Sequence, residues 1–306
     1  VYKRQGIEIE EAYGTTIFDL PLNSQIRAGK MRAKFGRINT QHRHSQNFAT
    51  LPIVAGRFIG EHLNPVAVET NFLLPMPWFS ELSVLAGTPE VETANFDRDP
   101  DTNNLSRMLY NIRLANFIEV SESLGVLFGG SYATGSNGVE EGSRSHLIGA
   151  DLYVKFRPLK DNPFQELRWQ TEFMYRIADV EEGEINDYGF YSEVVYKLSK
   201  RWGIGARYGW VDTDDIIEME EHDDEDAKSL MQFASGEEED EHGHGEDSLG
   251  LLGEEYRISA MLTFAPTEFS IIRLQYDYLD QDFASDQHAL FLQFQYAIGK
   301  HGAHQF

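Results

Sequence analysis

The sequence predicts an all-β chain, an antiparallel up-and-down transmembrane β-barrel with about 13 strands visible. Three observations carry this expectation. Apolar residues recur with a period of two through most of the chain, the signature of strands with one apolar face. The connections between these segments alternate between short and long, as in barrels with tight turns on one membrane side and longer loops on the other. Finally, the 306 residues include 20 Phe, 14 Tyr, 4 Trp and 26 Gly against 10 Pro, which suits many strands joined by turns.

The segments follow in order from Ile7. The first two strands are expected at Ile7–Phe18 and Ser24–Ala33, and an irregular stretch, 36–64, separates them from a third at Pro65–Leu74. Pro75-Met-Pro-Trp-Phe79 turns the chain into Glu81–Val91, and a polar loop at 92–106 leads to Met108–Ile118 and then Leu124–Thr134. Strand seven, His146–Phe156, points Ile148, Ala150, Leu152 and Val154 one way and Asp151, Tyr153 and Lys155 the other. The eighth is the sharpest, with Leu167, Trp169, Thr171, Phe173, Tyr175 and Ile177 alternating with Arg168, Gln170, Glu172, Met174 and Arg176. Tyr188–Leu198, Trp202–Val211, Tyr256–Phe264, Ser270–Leu279 and Leu290–Ile298 complete the set. The connection at 178–187 is expected to be among the longer ones, and that at 280–287 to be long by rank yet modest in size.

No stretch approaches the ~18 apolar residues of a membrane helix. Low mean hydropathy agrees with a barrel, in which lipid-facing and lumen-facing residues average out. The absence of cysteine removes disulfides and thiolate metal sites.

Two features bear on the chain's beginning. Val1-Tyr-Lys-Arg-Gln5 has no initiating Met and reads as the translated end of a sequencing adapter, so residues 1–5 are expected to be a scar on a sequence that lost its signal peptide. Barrels of this kind usually have even strand numbers, so 13 visible strands point to N-terminal truncation from 14 or more. The barrel is expected to span 6–299, with 300–306 a periplasmic tail and 36–64 an external or pore-constricting loop.

The net charge is −24, and 212–255 holds 19 Asp or Glu and one Lys, leaving −6 for the rest. This acidic run is expected to be an external loop. It contains His222 and Glu241-His-Gly-His-Gly-Glu-Asp247. Imidazoles among carboxylates suit a divalent cation, so His222, Glu241, His242, His244, Glu246 and Asp247 are candidate metal ligands, with His42 and His44 a second set. A solvated, repulsive loop is the alternative reading. No cofactor is required; a weakly bound zinc or other divalent ion is the ligand these residues suit.

The polar faces give a candidate lumen lining: Arg113, Lys155, Arg168, Glu172, Arg176, Glu193, Lys197, Arg207, Arg257, Arg273 and Asp277. These charges either set an ion-selecting field or brace the wall as salt bridges. No nucleophile with a positioned base stands out, so no enzyme is expected. The acidic exterior disfavours nucleic acid.

At Phe35-Gly-Arg-Ile-Asn39, followed by His42-x-His44 and by Glu69-Thr-Asn-Phe-Leu-Leu-Pro-Met-Pro-Trp-Phe79, and again in the closing Ile298-Gly-Lys-His-Gly-Ala-His-Gln-Phe306, the chain resembles a group of Gram-negative porin-like outer-membrane proteins with His-rich acidic loops. Such proteins are sometimes mislabelled TonB-dependent receptors, but this sequence shows no plug domain and too few strands for that class. The resemblance implies a bacterial outer-membrane location among lipid and lipopolysaccharide. It also implies assembly by machinery that reads a terminal aromatic such as Phe306, and an association with zinc or other metal uptake. The expected function is a porin or channel for passive diffusion of small solutes or ions, aided by metal capture at the acidic loop. The alternative is a structural or adhesive surface barrel with an occluded lumen.

Overall fold

The computed structural model describes residues 9–16, 20–60, 62–89, 96, 105–137, 139, 141–158, 164–180, 183–214, 253–282 and 284–296. Thirteen strands are present: β1 Ala12–Thr15, β2 Ser24–Lys30, β3 Pro65–Leu73, β4 Phe79–Pro89, β5 Leu109–Ser121, β6 Leu124–Ser136, β7 Arg144–Phe156, β8 Glu166–Val180, β9 Gly183–Lys197, β10 Trp202–Asp214, β11 Glu255–Thr267, β12 Ser270–Gln281 and β13 Ala284–Tyr296. They form one antiparallel sheet in strict chain order. Every strand expected from the two-residue period is therefore found, and each pairs with its neighbours in sequence.

β1 and β2 are shorter than the expected Ile7–Phe18 and Ser24–Ala33, and two connections differ from expectation. The connections expected at 178–187 and 280–287 are tight, because β8 and β9 stay paired up to Val180↔Gly183 and β12 and β13 up to Gln281↔Ala284. Polar residues such as Asp179, Glu184, Asp187 and Asp286 carry these ladders beyond the apolar band. A pattern read from apolar alternation stops where the band stops, whereas backbone pairing continues.

Alternation along each strand sorts the side chains onto two faces. On β11, Ile258 and Leu262 are exposed outward while Ser259 and Met261 are buried inward; on β8, Trp169 and Phe173 point out while Gln170, Glu172 and Met174 are buried. Large apolar side chains thus cover the outside of the sheet, and polar groups are buried inside it. A water-soluble sheet would do the reverse, so the outer surface suits lipid.

Among the described residues no ladder joins β13 to β1, and the sheet is open there. The outward row of β13 is correspondingly bare. Leu290 is 71% and Phe294 70% exposed, against 41% for Leu262 and 43% for Leu274 inside the sheet.

One rim carries the connections after β1, β3, β5, β7, β9 and β11, all brief. The opposite rim carries those after β2, β4, β6, β8, β10 and β12, including the longest. The segment 31–64 starts and ends at this second rim but folds into the barrel.

Because the outer face meets lipid, charge placed on it should be costly. Leu262→Arg is expected to destabilise the folded barrel by ~2–4 kcal/mol in urea titrations from phospholipid vesicles. A polar substitution at the inward neighbour Thr263 should change stability far less.

Candidate functional site

The segment 31–64 fills much of the barrel interior. Its neck continues the β2–β3 pairing, with Met31 N–H donating to Pro65 O and Ala33 N–H to Leu63 O. Asn39 closes that neck: its side-chain amide donates to Ala33 O and Leu63 O, and its carbonyl accepts from Leu63 N–H at 2.8 Å. Three polar contacts from one buried side chain hold the loop's two ends together.

Beyond the neck, the chain docks on the wall through its backbone. Gly36 N–H donates to Ser131 Oγ at 3.0 Å, while Arg37 N–H and Ile38 N–H donate to the two carboxylate oxygens of Glu172 at 3.1 and 2.7 Å. Glu172 is fully buried on β8 and also accepts from Tyr191 Oη at 2.6 Å. Gly36 has φ +56°, and a Cβ there would collide with Glu172 Oε2. Glycine is thus required twice, for the left-handed backbone and for the close approach. Phe35 has a matching demand, since a Cβ on Gly149 of β7 would meet its ring.

From there the segment crosses the lumen. Its tip reaches the first rim's end of the last strands, where His44 O accepts from Gln295 and Gln46 O from Arg273. The return path is anchored by Asn47 donating to Glu193 (2.7 Å), Ala49 N–H to Gln275 (2.6 Å), Thr50 to Asp277 (2.8 Å), Arg207 to Thr50 O (2.8 Å) and Arg257 to Leu51 O (3.3 Å). A short helix, α1 (Ile53–Phe58), then packs inside β8–β10, and Arg57 pairs with Glu255. Met31, Phe35, Ile38, Ile53, Val54, Phe58 and Leu63 form a continuous apolar core with Leu85, Leu109, Leu147, Met174 and Tyr191 of the wall. Part of the lumen is therefore packed as protein interior.

The lumen residues expected from the sequence fall on the inward rows. Arg113 pairs with Asp151 and Arg176 with Asp187, both fully enclosed. Glu172, Glu193, Arg207, Arg257, Arg273 and Asp277 hold the inward segment. Lys155 and Arg168 lie directly opposite each other in the β7–β8 register, and Lys197 is exposed at the end of β9.

Of the candidate metal residues, His42 and His44 lie among the described residues. His222, Glu241, His242, His244, Glu246 and Asp247 lie outside the described residues. His42 and His44 stack at 5.4 Å, but His42 Nδ1 faces Glu10 and Nε2 faces Glu11, each at 3.2 Å. The cation among these groups is Arg32, which bonds Glu10 at 3.0 Å and lies 3.0 Å from His62 Nε2. Among the described residues no group of three or more His, Cys, Asp or Glu is arranged to hold a metal ion.

Sequence reasoning does not find the roles of Glu10, Glu11, Arg32, Arg37 and Asn39. The Phe35–Asn39 motif is the available signal, and all five of its residues prove to be docking or neck residues.

The architecture so described is that of an outer-membrane β-barrel, and the outer-membrane location expected from the sequence agrees with it. The structure is similar to OprB of Pseudomonas putida, with a TM-score of 0.52 at 13% identity over 89% of this chain and 68% of that one. It also aligns with a loop L8 deletion mutant of OmpT, an outer membrane protein of Vibrio cholerae, at a TM-score of 0.49 and 11% identity, over 89% of this chain and 75% of that one. In sequence, an uncharacterised protein of Aquifex aeolicus is 30% identical over 336 positions, covering all of this chain. The chain spans 65% of that relative's length. No protein-family model matches.

The docking contacts make two checks specific. Gly36→Ala and Glu172→Ala should both release 33–60 from the wall, each orphaned amide costing ~1–3 kcal/mol. Limited proteolysis of the refolded protein should cut within 33–60, with the barrel strands still protected.

The second check is pH. Burial first, and Arg32 second, push the His62 imidazole down to about 4 from 6.5. Burial works to raise the Glu10 carboxyl, but Arg32 and His42 outweigh it, so its pKa is lowered. The folded state then binds fewer protons than the unfolded state at both sites. The Glu10 contribution is complete above 4.5 and is lost only below it, whereas that of His62 is complete above pH ~6.5 and is lost as pH falls towards 4. The thermal midpoint in detergent should drop over that interval, and His62→Gln should reduce the drop.

Proposed function

We propose that the protein is an outer-membrane channel for passive diffusion of small solutes or ions, its cross-section set by the inward-folded segment 31–64. The observation that carries this reading is the docking of that segment: it crosses the lumen and is hydrogen-bonded to strands around most of the barrel. A segment held in this way narrows the pore at a fixed place, which is how a wide barrel excludes large solutes while passing small ones. The fold shared with OprB supports the class of protein, and the solute is left to the chemistry of the lumen.

One observation favours a second reading. The apolar core between the segment and β3–β10 is closely packed, and the surface barrel with an occluded lumen would need such a core. The acidic residues 212–255 add a separate part of the proposal. Composition supports capture of zinc or another divalent ion by His222, Glu241, His242, His244, Glu246 and Asp247. No enzymatic activity is proposed.

Single-channel recording in planar bilayers tests these readings together. A channel gives small, uniform steps for the unaltered protein and several-fold larger ones for Gly36→Ala. An occluded barrel gives current only after Gly36→Ala. Absence of current from both would abandon the channel, and conductance unchanged by zinc would abandon the metal role.

A further inference from the structure

The two ends of the lipid-facing surface carry different rings. Beside the first rim the outward side chains include Phe79, Phe156 and Phe269, and Trp202 packs on Phe264 with 4.7 Å between ring centroids. A phenylalanine has no polar tip. Beside the second rim tyrosine predominates, and the rings form a row across five neighbouring strands, β9 to β13. Tyr188 meets Trp210 at 5.4 Å, Tyr208 meets Tyr256 at 6.3 Å, Tyr256 meets Tyr278 at 6.0 Å and Tyr278 meets His288 at 5.2 Å. Phe190 bridges the first pair to the next, 6.2 Å from Trp210 and 5.8 Å from Tyr208. Aromatic belts at both interfaces are general to such barrels. The particular feature here is what the polar tips of the second belt touch.

Those tips are spent on carboxylates. Tyr256 Oη donates to Asp280 Oδ2 at 2.9 Å, and Tyr278 Oη lies 3.0 Å from the same oxygen and 2.8 Å from Asp286 Oδ2. Trp210 Nε1 donates to Glu254 Oε1 at 2.6 Å. An ionised carboxylate has about four acceptor positions, so each of the three keeps room for further donors. Among the described residues, Asp280 Oδ1, Asp286 Oδ1 and Glu254 Oε2 accept no hydrogen bond, and no Lys or Arg pairs with these carboxylates. The row thus offers aromatic rings and anionic acceptors together.

A phosphate headgroup would meet like charge on this surface. A saccharide meets complementary groups: the C–H groups on one face of a pyranose are drawn to the negative faces of aromatic rings, and its hydroxyl edge donates to carboxylates. The row is also continuous with the surface for lipid, because the outward side chains of β11 and β12 run on from it as Ile258, Leu262 and Leu274, all exposed. A sugar on the rings therefore has acyl-chain surface directly beneath it. The rim with the longer connections is the external one in such barrels.

We propose that the aromatic row of β9–β13 is a docking surface for the sugar headgroup of a membrane glycolipid, whose acyl chains lie along Ile258, Leu262 and Leu274. The rings supply the stacking platform, and Asp280, Asp286 and Glu254 accept from the sugar hydroxyls. This surface is on the outside of the wall, so it does not depend on whether the lumen conducts.

The test uses the full chain folded into phosphatidylcholine vesicles that contain equal minor fractions of monoglucosyl diacylglycerol and phosphatidylglycerol with the same acyl chains. The protein is extracted in mild detergent, and the lipids retained on it are quantified by mass spectrometry against their vesicle proportions. The glucosyl lipid is expected several-fold above its proportion, and phosphatidylglycerol at or below its own. Asp280→Asn with Asp286→Asn keeps an acceptor oxygen for Tyr256 and Tyr278 but should return the glucosyl lipid close to its vesicle proportion. Tyr278→Leu, an independent change, should do the same, whereas Trp202→Leu at the first rim should leave retention unaltered. Heat-modifiable migration on gels checks that each variant is folded. Three outcomes overturn the surface: no enrichment of the glucosyl lipid on the folded unaltered protein, preferred retention of phosphatidylglycerol with or without calcium, or enrichment that Trp202→Leu lowers as much as the Asp substitutions do.

Discussion

The buried carboxylate of Glu172 receiving two successive backbone amides is the contact on which the interior depends. A carboxylate buried in a barrel wall is costly unless its oxygens are satisfied. Here the satisfaction comes from the main chain of another element, Arg37 N–H and Ile38 N–H, together with the Tyr191 hydroxyl. The wall therefore needs the inward segment to satisfy Glu172, and the segment needs the wall to satisfy its amides. Gly36 makes the approach close enough, Phe35 and Ile38 add apolar packing on either side, and Asn39 closes the neck behind them. Once this turn is fixed, the rest of the segment can only continue into the lumen, where Asn47, Ala49, Thr50 and Leu51 find partners on β9–β12.

The same constraint explains the two kinds of charge inside the barrel. Where wall strands face one another or the neck, as at Arg113 and Asp151, charges pair directly and brace the sheet. Where the segment lies between them, its backbone and amide side chains take the place of counter-ions. Arg207 and Arg273 end on carbonyl oxygens, and Glu193 on an amide. A loop rich in backbone donors and acceptors can thus fill a charged lumen while satisfying its polar groups.

The wall is legible in the sequence to an unusual degree. Two-residue alternation locates all thirteen strands, because a sheet with lipid on one side and polar groups on the other forces that period on every strand. It fails at 178–187 and 280–287, where the ladders of β8–β9 and β12–β13 run on past the apolar band. The interior is far less legible. Nothing in the period of 36–64 tells whether a loop points outward or inward, and the partners it meets are spread from Glu10 to Gln295. The Phe35–Asn39 motif does mark the docking turn, although its physical meaning needs Glu172 and Gly149 beside it. His42 resembles a metal ligand when seen only with its neighbour His44, but its partners Glu10 and Glu11 come from the far side of β1.

The central claim is that residues 31–64 lie inside the barrel, and a cross-link tests it most directly. The chain has no cysteine, so a pair can be introduced without competition. Thr50→Cys with Asp277→Cys replaces a contact of 2.8 Å between the segment and β12. In protein folded into vesicles, this double variant is expected to oxidise to completion, and the thiol of the single Thr50→Cys variant is expected to be inaccessible to a bulky membrane-impermeant reagent. Failure of the pair to cross-link, with ready labelling of the single Thr50→Cys variant by that reagent, would place the segment outside and contradict the claim.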